Sequence, residues 1–480
     1  MRLELIREKT PDPPAGWSML YWFGPGLLWM LSAVGTGSIL FTPRVAAAYE
    51  YQLLWLLLLI VFFMWVMIRE MARFSIVTGK TMLEGMYTLG GPKGWALWFI
   101  LLPQLLAAAV GIAGLSGVVG SALQGVLPGS TSLYGILLVV ISTLFVASGK
   151  YGVIERLSRY LALLLMVMVI VAAAVVSPDL AKMAQGTTPS WPEKADLYIV
   201  LPWVGTILAG SMGIVWFGYW TATRGFGGGL ETTDQDDECD ADTYEEPASP
   251  GSNKDKISRI KAWVSVMTGT ATLGVVGGLL VITAFMILGA ELLAPQGEIP
   301  QGAGVASDLA SLFSDVWGQA GKYLLLVAII IALGGSVLAN QDGWGRSFAD
   351  ITLILTREKR RSSKDHRILA ICESGAEKIG FKLFQRRNLK RIFIVSITGL
   401  IPIFILLAFK DPVRVMSASG IIAAMHTPFI ALVSLYVNQT RLPKALKPNL
   451  LTSLSMAVAG SFYLGFAVLY VWDLVKNSSS

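Results

Sequence analysis

Two clusters of small and hydroxylated residues carry most of the chemistry this chain has to offer. Gly35, Thr36, Gly37 and Ser38 lie in the middle of one long apolar run, and Gly205, Gly210, Ser211 and Gly213 lie in the middle of another. Glycine within a helix costs about 1 kcal/mol relative to alanine. Grouped with Ser or Thr, it lets an apolar helix unwind where the freed backbone lines a cavity. The second half of a broken helix then begins with unpaired N–H groups and a positive partial charge, while the first half ends in carbonyls. Interruptions five spans apart point to a central ion or small-molecule site. Met212, Ile214 and Trp216 follow the second cluster and belong to the same candidate site. Gly111, Gly114, Gly117 and Gly120, in a third run, read instead as close helix packing.

The elements that must hold these clusters are membrane spans. The chain is 54% hydrophobic and 15% charged, with a mean hydropathy of +0.61. Apolar stretches recur at the roughly 20 residues needed to cross about 30 Å of hydrocarbon. Eleven spans are expected, near 22 to 48, 52 to 72, 95 to 122, 132 to 149, 159 to 177, 199 to 222, 261 to 290, 322 to 354, 391 to 409, 414 to 436 and 449 to 472. The N-terminal segment is polar and has no signal-peptide pattern, so the first span is expected to be retained. Lys and Arg collect in alternate connections, among them Arg69, Arg73 and Lys80, then Lys254 to Lys261, then Arg357 to Arg391. By the positive-inside rule these face the cytoplasm with the N-terminus, and the expected location is a prokaryotic inner (plasma) membrane. The net charge of +6 therefore reads as a topology signal in a lipid bilayer and not as a nucleic-acid surface.

The connections add little chemistry. The acidic run from Glu231 to Glu246 lacks the spacing of a Ca²⁺ loop and reads as a solvated linker. The segment from Leu292 to Gly321, with Pro295 and Pro300, ends in an amphipathic stretch expected to pack as a partial lid. Cys239 and Cys372 suggest neither a disulfide framework nor a metal site. No nucleophile with a base, phosphate loop or metal triad falls within the spans, so an enzyme is not expected, nor a cofactor.

From Gly24 to Lys80 the chain resembles the first two helices of the NRAMP divalent-metal transporters. The correspondence runs without gaps from Gly24-Pro25 through Tyr51-Gln52-Leu53-Leu54-Trp55 to Thr78-Gly79-Lys80. The eleven-span plan, the basic segment before the ninth helix and Pro428-Phe429 in the tenth are similar too. The resemblance implies an all-α polytopic membrane protein with the LeuT-type inverted repeat, 5+5 helices, plus an eleventh helix. Residues 1–20 would be a cytoplasmic tail, 21–180 the first repeat, and 181–440 the second, with an acidic loop at 225–258 and a basic loop at 356–390. The eleventh helix and C-terminal tail would occupy 441–480.

The family's functional residues do not carry over. Its Asp-Pro-Gly-Asn metal motif falls on Gly35, Thr36, Gly37 and Ser38, so the carboxylate and carboxamide are missing. Its Met-Pro-His motif falls on Met212, Gly213 and Ile214, which keeps the thioether and loses the histidine. The acidic positions of helix 3 fall on Gln104, Gly111 and Gly114, and a glutamine of helix 10 falls on Gly420. The two histidines, His366 and His426, lie at no motif position, and His426 reads as a packed helix residue.

Mn²⁺ or Fe²⁺ needs carboxylate, imidazole or soft donors, and a lone Met among neutral groups is a poor set. Helix N-termini and the hydroxyls of Thr36, Ser38 and Ser211 suit an anion. The expected function is ion-coupled secondary transport of a small anion such as bicarbonate. Na⁺ would be the coupling ion, held by carbonyls near Ala33 and Val34, with Asp342 as a further candidate. Arg44, two turns beyond the first break, and Gln104 are candidates for access and steering. Arg44 alternatively snorkels or pairs with Glu50, and Arg346 pairs with Asp342 or Asp350. Arg69 and Glu70 read as an inner gate or topology anchor. The alternatives are a divalent metal cation, Mn²⁺ or hydrated Mg²⁺, and a small amino acid with Trp216, Phe217 and Tyr219 lining its subsite. No segment specifies an oligomeric state.

Overall fold

A computed structural model describes residues 7, 10–32, 35, 37–149, 152–230, 253–297, 299–361 and 382–478. Cys239, Cys372, His366 and the acidic run lie outside these residues, as do Ala33, Val34 and Thr36 of the candidate site. All regular elements among the described residues are helical. Nine helices among them are long and apolar enough to cross a membrane, and a tenth is counted if Ala162–Val176 and Leu180–Gly186, bent by 114°, form one span. The first expected span is described in two shorter pieces, Gly24–Ser32 and Gly37–Tyr49. Large apolar side chains stay exposed on the outside of the bundle, such as Leu144 at 67% and Trp472 at 72%. That is a lipid-facing surface, because water would penalise it.

The sixth-span interruption is present, and in the first span the described helical turns lie on either side of residues 33, 34 and 36, which are outside the described residues. The first span runs as an α-helix over Gly24–Ser32 and resumes as a π-helical turn over Gly37–Phe41, followed by Thr42–Tyr49. Thr42 causes part of this widening, because its hydroxyl donates to the carbonyl of Gly37 at 2.7 Å. The sixth span runs over Leu197–Thr206, breaks, and resumes over Gly210–Thr223. At the break Leu208 has φ 59° and ψ 33°, and Gly210 has φ 65° and ψ −172°. Neither conformation continues a right-handed helix.

The third-span glycines pack as expected. A Cβ on Gly114 would lie 2.7 Å from the Cα of Met416, and one on Gly117 would lie 2.7 Å from the Cβ of Pro412. The third span (Trp95–Gln124) and the tenth (Pro412–Arg441) therefore cross almost backbone to backbone. The eighth span belongs to a helix of Val305–Arg361 that kinks at Gly318, φ 65°. Its first part, the amphipathic stretch, packs on the third span, where Ser121 accepts from the Ala306 N–H at 3.1 Å. The N-terminal segment is fastened beneath the bundle. Arg7 is buried and donates to the carbonyls of Ile76, Phe226 and Gly229, joining the ends of the second and sixth spans.

Candidate functional site

The two breaks meet. A Cβ on Gly37 would stand 2.5 Å from the Thr206 carbonyl oxygen, so only glycine lets the first span approach the end of the sixth span's first half. The indole N–H of Trp203 donates to the Thr42 hydroxyl at 2.9 Å and ties the same two segments together. Gly205 presses on the tenth span, where a Cβ would fall on the Gly420 carbonyl. Gly420, the position where the resemblance places a glutamine, is thus a packing glycine. Gly37, Ser38, Ser211, Met212, Gly213 and Ile214 are buried around this junction, and Gly35 is half-buried. Gly35 also accepts the backbone N–H of Ile39 at 2.9 Å.

A polar cluster adjoins the sixth-span break. Gln104 is 1% exposed, and its Nε2 donates to Ser211 Oγ at 2.9 Å and lies 2.9 Å from His426 Nδ1. Trp344 Nε1 donates to Gln104 Oε1 at 3.4 Å. The Gln104 amide thus bridges the sixth-span hydroxyl and the His426 ring. His426 also makes a hydrogen-bond contact with the Phe99 backbone, in the same third span. Four spans, the third, sixth, eighth and tenth, thus converge on one carboxamide. His426 is a packed helix residue, 3% exposed and stacked on Phe429, as its sequence context suggests, and it adjoins the candidate site through Gln104. Gln104 and His426 are 322 residues apart, and only their shared depth in two spans hints at contact.

Other sequence candidates are placed elsewhere. Trp216 Nε1 donates to Ser347 Oγ at 2.9 Å, and its ring meets Trp344 edge to face at 5.7 Å. Phe217 packs on Trp29 at 5.6 Å, and the Tyr219 hydroxyl accepts from Arg386 at 3.2 Å. These three aromatics point to three neighbours and do not share a subsite. Asp342 is held by Arg346 at 2.6 Å and by Lys390, and Asp350 by Arg386 at 2.8 Å. Glu50 pairs with Lys182 at 2.8 Å and not with Arg44. Arg44 is 8% exposed, and its Nε and Nη1 have no hydrogen-bond partner among the described residues. Glu70 is fully buried and accepts from Arg73 Nε at 2.9 Å and from Asn438 at 3.2 Å, while Arg69 lies over the Trp65 ring at 4.2 Å. No group of three or more His, Cys, Asp or Glu able to hold a metal occurs among the described residues.

A helical bundle of membrane-spanning length, with the first and sixth spans touching at Gly37 and Thr206, defines an integral membrane protein of the LeuT-type fold. Residues 26–341 match the family model described as natural resistance-associated macrophage protein-like, and the chain belongs to that NRAMP family. It is 27% identical over 216 residues to the NRAMP-like transporter smf-3 of Caenorhabditis elegans, covering 42% of this chain and 36% of that one. An uncharacterized Pasteurella multocida protein, PM0681, is 23% identical over 348 residues, covering 71% and 72%. The match to the nematode relative thus spans little more than a third of its length. Among solved structures, a variant of the Eremococcus coleocola manganese transporter superposes with a TM-score of 0.64 at 14% identity, covering 96% of this chain and 89% of that one. A nucleobase-cation-symport-1 family transporter superposes with a TM-score of 0.51 at 12% identity, covering 99% and 95%.

Proposed function

We propose that this NRAMP-family transporter carries a small planar anion, of which bicarbonate is the best match in size and shape, coupled to Na⁺. One observation carries the reading. The helix breaks meet around buried backbone and hydroxyl donors, and no carboxylate stands at the metal-motif positions Gly35, Gly37 and Ser38. An unwound helix N-terminus stabilises negative charge. The sixth span's second half begins at Gly210, immediately before Ser211. Because Ser211 Oγ accepts from Gln104, its own hydroxyl proton is available to a ligand. Thr36, outside the described residues, completes the proposed donor set.

The coupling Na⁺ is proposed to bind backbone carbonyls near Ala33 and Val34, which lie outside the described residues; unwound carbonyls of this kind suit a cation. Asp342 is a weaker candidate, because Arg346 and Lys390 already neutralise it. Transport would proceed by alternating access around the paired breaks, with the N-terminus on the cytoplasmic face of a prokaryotic inner membrane.

The second reading is a divalent cation. Family membership and the manganese transporter among the fold relatives favour it, and Met212 offers a soft thioether. Hydrated Mg²⁺, which keeps its waters, would need fewer direct ligands than Mn²⁺. Proteoliposomes holding the full chain separate the two readings. Bicarbonate uptake that requires an inward Na⁺ gradient is the expected result. Mn²⁺ or Mg²⁺ uptake with no bicarbonate flux defeats it.

A further inference from the structure

Arg44 lies in the second half of the first span, beyond the break, and is more than nine-tenths buried. Such a charge is costly to bury unless something pairs with it. Its Nε and Nη1 lack any hydrogen-bond partner among the described residues. The nearby carboxylates that act on it through space are Asp411 and Asp196. Both have other work. Asp196 caps the sixth span by accepting from the Tyr198 N–H at 2.8 Å. Asp411 caps the tenth span through the Val413 and Arg414 N–H groups and pairs with the Arg414 side chain at 3.3 Å. Glu50, the closest acid in sequence, is taken by Lys182.

A guanidinium presents its N–H groups in a rigid planar fork that matches a planar oxoanion bidentately. Resting on the anion reading above, we propose that Arg44 is a second anion station on the path to the helix breaks, binding a planar oxoanion of the bicarbonate class. The first span itself carries both stations. Arg44 follows Gly37 by about two turns, or roughly 10 Å at 1.5 Å per residue. Thr42, between them, is fixed by Trp203 and by the Gly37 carbonyl, so the arginine is mounted on a braced segment.

The experiment compares the full-length protein with Arg44→Gln and Arg44→Lys in proteoliposomes under an inward Na⁺ gradient, measuring KM and maximal rate for bicarbonate. Bicarbonate binding to each purified protein is measured calorimetrically in parallel. Loss of charge-assisted hydrogen bonds should raise KM and Kd about tenfold or more in Arg44→Gln. Arg44→Lys, which keeps the charge but not the fork, should fall between. Should Arg44→Gln not fold, Arg44→Lys with weaker binding and an unchanged melting temperature supports the station equally. Wild-type flux with both variants matching it in KM and Kd overturns the Arg44 station and leaves the transport reading standing. Wild-type protein that neither binds nor carries bicarbonate overturns both.

Discussion

The side-chain amide of Gln104, in the third span, stands 2.9 Å from the ring Nδ1 of His426 in the tenth. It also donates to Ser211 at 2.9 Å beside the sixth-span break. The amide therefore links the sixth-span hydroxyl to the His426 ring of the tenth span. Gln104→Glu replaces a donor with a carboxylate among buried donors. Under the anion reading, bicarbonate uptake falls about tenfold or more. Gln104→Met, which removes the hydrogen bonds without adding charge, loses less. Equal losses in the two variants, measured as initial rates in proteoliposomes, would show that charge at this position is immaterial.

Gly37→Ala tests the junction itself. The new methyl would lie 2.5 Å from the Thr206 carbonyl oxygen and 3.2 Å from the Ile207 nitrogen, and backbone cannot yield as a side chain tip can. Overpacking of this kind costs about 1–3 kcal/mol. Transport should be lost and the melting temperature in detergent should drop. An alanine variant with wild-type rates would mean that the breaks need not touch.

Glu70 and Asn438 join the second and tenth spans. Asn438 donates to the Glu70 carbonyl at 2.9 Å and to its carboxylate at 3.2 Å. Glu70→Ala leaves Arg73 without its carboxylate and should cost about 3–5 kcal/mol. Asn438→Ala should cost about 1–3 kcal/mol. Because the two residues touch, their effects should not add, and a double-mutant cycle by thermal unfolding should return a coupling of about 0.5–3 kcal/mol. Additive losses would remove the link.

Asp342→Asn separates an ion site from a structural pair. With Arg346 and Lys390 both on this carboxylate, the substitution should lower the melting temperature and leave the Na⁺ concentration for half-maximal uptake unchanged. A several-fold rise in that concentration would return Asp342 to the coupling site.

The sixth-span break is legible in the sequence because glycine grouped with Ser carries a local helix penalty and leaves backbone free to line a cavity. The packing of Gly111 to Gly120 is legible for the related reason that small residues at one-turn spacing have little other use in lipid. What escapes the sequence depends on distant partners. Arg44 and Glu50 are close enough along the chain to suggest a pair, yet Glu50 turns to Lys182, 132 residues away. Trp216, Phe217 and Tyr219 look like one apolar patch in the sequence, but the helix's step of about 100° per residue sends them to different neighbours. Gln104 and His426 come together only because the third and tenth spans cross closely at Gly114 and Gly117.

The exact point at which the sixth span parts is not marked by glycine alone. Leu208, a branched residue, is held at φ 59°, where an L-amino acid with a Cβ is disfavoured by about 1–2 kcal/mol. Any rearrangement that lets this leucine return to ordinary backbone geometry is favoured by that amount. The unwound joint therefore carries its own restoring force, and Leu208→Gly would slacken it.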